Sequence, residues 1–206
     1  NILTGTSGYS YAEWVDAAPA TDLSRVEVST GFTHYNPDPV GVFEINLDLS
    51  SLDALYQPAM TQAEAFWENV ITGYQGPTNI TGISISINTD NLGGAYGTLA
   101  QASTSMVNEG FGYWRSDGGS IAFDTNDIDR LYSEGNLYWV ALHELAHILG
   151  FGVLWEDYGV YTDGTFEYTG ANALAAYQNE FDSGALFVPV ENDGGGGHDR
   201  GSFPDK

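Results

Sequence analysis

Cysteine is absent from the 206-residue chain, which excludes a disulfide framework, thiolate-bound zinc and thiol catalysis. Basic residues are nearly absent too: five Lys and Arg stand against 28 Asp and Glu, a formal net charge of −23. A surface of that sign repels phosphate, which argues against a nucleic-acid partner. Only 16% of residues are charged, fewer than the usual quarter, yet no apolar run approaches the length of a membrane span. The chain opens Asn-Ile-Leu-Thr, without Met, a basic stretch or an apolar stretch behind it. It therefore reads as a mature product trimmed from a precursor. What remains is 42% hydrophobic and 14% aromatic, enough for one compact domain with a sizeable core. The abundance of Gly, Asn, Ser and Thr beside so little Lys reads as a secreted protein of bacterial type, kept soluble by acidic charge.

The hydrophobic pattern mixes both periods. Val40 to Leu49 alternates in part and predicts a strand, and Ile80 to Asn88 sets Ile83, Ile85 and Ile87 on one face with serines on the other. Between them, Ser51 to Ile71 carries Leu52, Leu55, Ala59, Ala63, Phe66, Trp67 and Val70 near three-to-four spacing, which predicts a helix. Gly93 to Gly119 reads as loop with one short strand at Thr98 to Ala102, followed by a strand at Ser120 to Phe123 and a turn at Asp124 to Asp127. Asn136 to Leu149 predicts a strong helix ended by Gly150, Ala171 to Phe181 a shorter one, and Leu186 to Val190 an extended segment. The expected class is α+β, helices flanking a sheet.

Within the strong helix, His143-Glu144-Leu145-Ala146-His147 fits H-E-x-x-H. Residues four apart project from one helix face, so both imidazoles can reach a single metal. Glu144 lies about 100° round the helix from His143, placed to take a proton from water at that metal without being a ligand. Zinc suits imidazole ligands, and a catalytic zinc keeps one position for water. Chance gives such a pattern in a chain of this composition at roughly 0.005 per chain.

Two histidines need a third ligand. Gly150 extends the pattern to H-E-x-x-H-x-x-G, but the position three further on, where a compact pattern has its third histidine, is Val153. His198 follows four glycines that can swing a side chain to a metal, whereas His34 sits in the turn-rich FTHYNPDP and reads as a surface residue. Glu167, twenty residues past His147, and Glu180, on the shorter predicted helix, are the carboxylate alternatives.

HELAHILGFGVLW, FEYTGANALAAYQNEF and VPVENDGGGGH together resemble bacterial relatives of leishmanolysin, within the metzincin zinc endopeptidases. AEAFWENVITG and ITGISISI resemble the first helix and a following strand of that catalytic domain, and GTLAQAS and GGSIAFD the next two strands. The resemblance runs from about Phe43 to His198. It implies a metzincin-like catalytic domain: a twisted mixed sheet, a flanking helix and an active-site helix. Residues 1–150 would form the N-terminal subdomain and 151–206 a partial C-terminal one. It also implies Zn²⁺ on His143, His147 and His198, Glu144 as general base, and Leu99, Ala100 and Gln101 as an exposed edge strand to which a peptide substrate adds antiparallel. Metzincins carry a methionine turn after the third histidine. Here the chain stops eight residues past His198 and the methionines are Met60 and Met106, so the C-terminal subdomain is expected to be incomplete.

Two other functions remain open on the residues alone: an inactive metalloprotease-like binding module, and a gluzincin-like peptidase with a Glu ligand. Calcium is a further expectation at Asp124, Asp127 and Asp129 or at Asp157 and Asp163, although EF-hand spacing is missing and such residues also serve as caps and turns.

Overall fold

The isoleucines that alternate with serines make the central ladder of the protein. The computed structural model describes residues 43–71, 73, 78–110 and 112–190. In chain order they form β1 (Glu44–Asp48), α1 (Gln57–Val70), β2 (Gly82–Asp90), β3 (Ala100–Val107), β4 (Arg115–Asp124), α2 (Ile128–Ser133), α3 (Leu137–Ile148), β5 (Glu167–Tyr168), α4 (Ala171–Glu180) and β6 (Val188–Pro189). The first four strands form one mixed sheet in the order β1-β2-β4-β3. β1 and β4 run parallel to β2, and β3 lies antiparallel to β4 at an edge. The molecule is thus α+β with a mixed sheet. β5 and β6 form a separate antiparallel pair. Among the described residues no helix is long and apolar enough to cross a membrane.

The two faces of the sheet differ because strand side chains alternate. Ile83, Ile85 and Ile87 of β2, with Ile121 and Phe123 of β4, are buried, and Met60 and Ala63 of α1 and Leu137, Ala141, Leu145 and Ile148 of α3 share their core. Each buried Ile, Leu, Met or Phe side chain among these stabilises the fold by about 1.5–3 kcal/mol relative to exposure. Ser84, Ser86, Gln101, Ser103 and Ser105 are exposed. Register puts Ser84 beside Gly118 and Ser103 beside Ser120 on the opposite face.

Three boundaries differ from the sequence pattern. The first helix starts at Gln57 rather than Ser51. Asp48 and Asp53 accept from the backbone N–H groups of Ser50 and Leu55 at 3.0 and 2.9 Å, which holds the approach in turns. Pro58 stands in the first helical turn, where its missing N–H costs nothing.

The segment from Gly93 to Gly119, expected as loop with one short strand at Thr98 to Ala102, contains the longer β3 and the first half of β4, and six residues after Asp127 form α2. Two glycines in β4 conceal its strand character, and one of them has a packing reason. A Cβ on Gly119 would press on the Ser103 carbonyl and lie 2.6 Å from Ile148 Cδ1. Gly119 is where α3 comes down onto the sheet.

The end of β4 is tied to the loop before β3 by buried carboxylates. Asp124 and Asp127 are both fully buried. Asp124 Oδ1 accepts from the Asn126 backbone N–H at 2.8 Å and from its side-chain amide at 2.7 Å. The Asn126 backbone N–H, above all, holds the Asp124 carboxyl below its ordinary 3.8. A depressed folded-state pKa contributes stability that is present above the unfolded value and lost as pH falls through the folded one. Acid titration of unfolding is expected to show this loss below about pH 4, and Asp124→Asn to flatten the curve there. An unchanged acid limb in that variant would remove the carboxylate as its cause.

Candidate metal centre

α3 forms because Leu137, Ala141, Leu145 and Ile148 recur on one helical face and are at most 2% exposed. Burying that stripe against the sheet turns His143 and His147 together onto a half-buried flank. Their imidazoles lie with Nε2 atoms 3.0 Å apart and ring centroids 4.7 Å apart, nearly perpendicular at 83°. A tetrahedral zinc with bonds of about 2.0–2.1 Å separates two nitrogen ligands by about 3.3 Å. The pair therefore fits one ion with a slight spread. Glu144, next along the helix, is 3% exposed. Its carboxylate is sheltered from bulk water.

The helix ends in a way that orients one ring. Gly150 takes φ +101°, its N–H donates to the His147 carbonyl at 2.9 Å, and the Phe151 N–H donates to the Ala146 carbonyl at 3.0 Å. These are the two bonds of a Schellman closure, which needs a residue free to enter the left-handed region. A side chain there would also meet Leu154 Cδ1 at 2.7 Å. The closure brings the Phe151 carbonyl to 3.0 Å from His147 Nδ1. A carbonyl only accepts, so Nδ1 carries the proton and Nε2 is left with its lone pair toward His143. The glycine noticed in the pattern thus acts through a carbonyl one residue later.

Two contacts of large sequence separation hold the helix in place. Thr104 Oγ1 of β3 donates to the His147 carbonyl at 3.0 Å, and Trp67 Nε1 of α1 donates to the Leu142 carbonyl at 3.0 Å. Neither residue carries a motif, and nothing in the sequence pairs it with α3.

Ala100 and Gln101 open β3, the edge strand, and Leu99 immediately precedes it. The Asp124 N–H donates to the Leu99 carbonyl at 2.9 Å, and Ala100 lies opposite Phe123. By antiparallel alternation, Leu99 and Gln101 spend their main-chain groups on β4, while those of Ala100 face outward. The Ala100 side chain is buried and that of Gln101 exposed.

Among the described residues no three His, Asp, Glu or Cys side chains are grouped to hold a metal, so neither Glu167 nor Glu180 joins the histidine pair within them. Both are exposed. His198 and His34 lie outside the described residues. The acidic residues weighed for calcium serve local structure where their bonds are described. Asp127 accepts from Arg130 Nη2 at 2.7 Å and from the Tyr96 N–H at 2.9 Å. Asp129 accepts from the Tyr56 hydroxyl, a bond that pushes the phenol up to about 12. The Asp163 N–H donates to Glu156 Oε1 at 3.1 Å.

Compared with protein-family models, curated proteins and solved structures, this chain gives no match.

Proposed function

We propose that the protein is a zinc-dependent endopeptidase of the metzincin type, acting on proteins or peptides outside the cell. The observation that carries the reading is the convergence of His143 and His147 to 3.0 Å between their Nε2 atoms; Glu144, which follows His143 in the chain, is buried. His143 and His147 would hold Zn²⁺ through Nε2, with His198 as the third ligand. A mixed sheet with an antiparallel edge strand in front of the histidine helix supports the metzincin-like assignment.

Zinc, when bound, supplies a Lewis acid that makes a water more acidic and polarises the scissile carbonyl. Glu144 takes the proton from the attacking water and passes it to the leaving amine. The Phe151 carbonyl keeps His147 in the tautomer that presents Nε2. A substrate strand laid along β3 would meet the outward main-chain groups of Ala100, flanked by Leu99 and Gln101.

The test is elemental analysis of the purified full chain, with hydrolysis of an unfolded protein assayed on the same sample. About one zinc per chain is expected, with cleavage that a chelator stops and added zinc restores. His198→Ala should weaken zinc binding; unchanged binding would move the third ligand to a carboxylate. A chain without zinc that cleaves nothing would end the proposal.

A further inference from the structure

We infer that Trp67 is a positioning residue for the histidine pair, an inference that rests on the metal-centre reading for its purpose but on α1–α3 contacts for its geometry. Trp67 is carried by α1 and meets α3 and the turn that follows it at two points that bracket both histidines. Its indole N–H donates to the Leu142 carbonyl, immediately before His143, at 3.0 Å. Its ring lies against Phe151, four residues past His147, with centroids 5.5 Å apart and planes tilted by 47°. Phe151 is the residue whose carbonyl holds His147 Nδ1.

The last turn of a helix frays readily, because its carbonyls lack intrahelical partners. A ring seated on Phe151 restrains the residue that turns the chain out of α3, and so keeps its carbonyl on the imidazole rather than on water. The donor at Leu142 fixes the other end of the same two turns. α1 is itself anchored next door, where Glu68 Oε1 accepts from the Ile45 N–H of β1 at 2.8 Å. Trp67 thereby refers the histidines to the sheet. Partners that orient a ligating histidine typically change metal affinity by about 10–100-fold when removed.

Trp67→Phe deletes the donor to Leu142, and its smaller ring is expected to loosen the contact that restrains Phe151. The experiment compares it with the wild-type full chain by zinc affinity, measured in competition with a chromophoric chelator, and by long-range ¹H–¹⁵N spectra of the metal-free imidazoles. The folded variant is expected to bind zinc about 10-fold more weakly and to show His147 as a mixture of tautomers, where the wild type shows the Nδ1–H form alone. A purely structural tryptophan would lower the melting temperature and leave both readouts alone, and that result overturns the inference.

If Trp67→Phe does not fold, Phe151→Ala, which retains the carbonyl and the indole hydrogen bond, takes its place. Weaker zinc binding with mixed His147 tautomers is again the expected result, and two unchanged readouts again overturn the inference. Should the wild type bind no zinc, the metal reading fails by itself. The imidazole spectrum then still decides whether Trp67 sets the His147 tautomer.

Discussion

Glu144→Gln is expected to lower kcat about 1,000-fold, within the ~10²–10⁴ that a positioned base contributes, while zinc stays bound at wild-type stoichiometry. The amide preserves the shape of a side chain that is 3% exposed, so packing around α3 changes little. What it removes is a site that can accept a proton from water and return one to the leaving amine. The imidazoles that would bind the metal are untouched, which is why metal content and turnover separate in this variant. Steady-state hydrolysis and elemental analysis on one preparation check both. Full activity in the variant would transfer the base role elsewhere. A wild-type chain that binds zinc and captures a polypeptide without cutting it, with the variant behaving identically, would favour a binding module.

Phe123→Ala is expected to cost about 3–5 kcal/mol of folding stability and, for a chain of this size, to lower the melting temperature by roughly 6–20 °C. Phe123 is fully buried, on the β4 face that lies under the helices. Its register neighbours across the sheet are Thr89 and Ala100. Those small side chains cannot expand into the space a phenyl ring vacates, so the loss combines burial with a residual cavity. Ala100 would be left less well supported at the start of the edge strand, and Phe123→Leu should lose much less. Denaturant unfolding measures the difference. A loss below about 1 kcal/mol would mean that the site collapses freely, against the close packing of this core.

Much of this architecture is written in local pattern. The isoleucine–serine alternation of β2 and the apolar stripe of α3 each satisfy one period without interruption, so the elements stand where periodicity puts them. The loop expected around RSDGG proved to be the first half of β4, whose second half was expected as a strand at Ser120 to Phe123. Glycines depress a local strand signal, yet at Gly119 the missing side chain is what lets Ile148 reach the sheet. That requirement comes from α3, far along the chain, and no window around residue 119 contains it. The late start of α1 has the opposite origin. Asp53 and Pro58 are local signals, and the run of apolar residues between Leu52 and Ala59 masks them.

At the candidate centre, the chain itself determined the chemistry. H-E-x-x-H on one amphipathic helix sets two imidazoles on one face, with a carboxylate about 100° round from the first, because helical geometry repeats every 3.6 residues whatever surrounds it. Tertiary structure decided how those groups are held. Thr104 and Trp67 meet carbonyls of α3 from 43 and 75 residues away, and Phe151 reaches His147 only because Gly150 enters the left-handed region. Hydrogen bonds to backbone carbonyls have no residue code: any carbonyl accepts equally, so which one is used depends on where packing brings the donor.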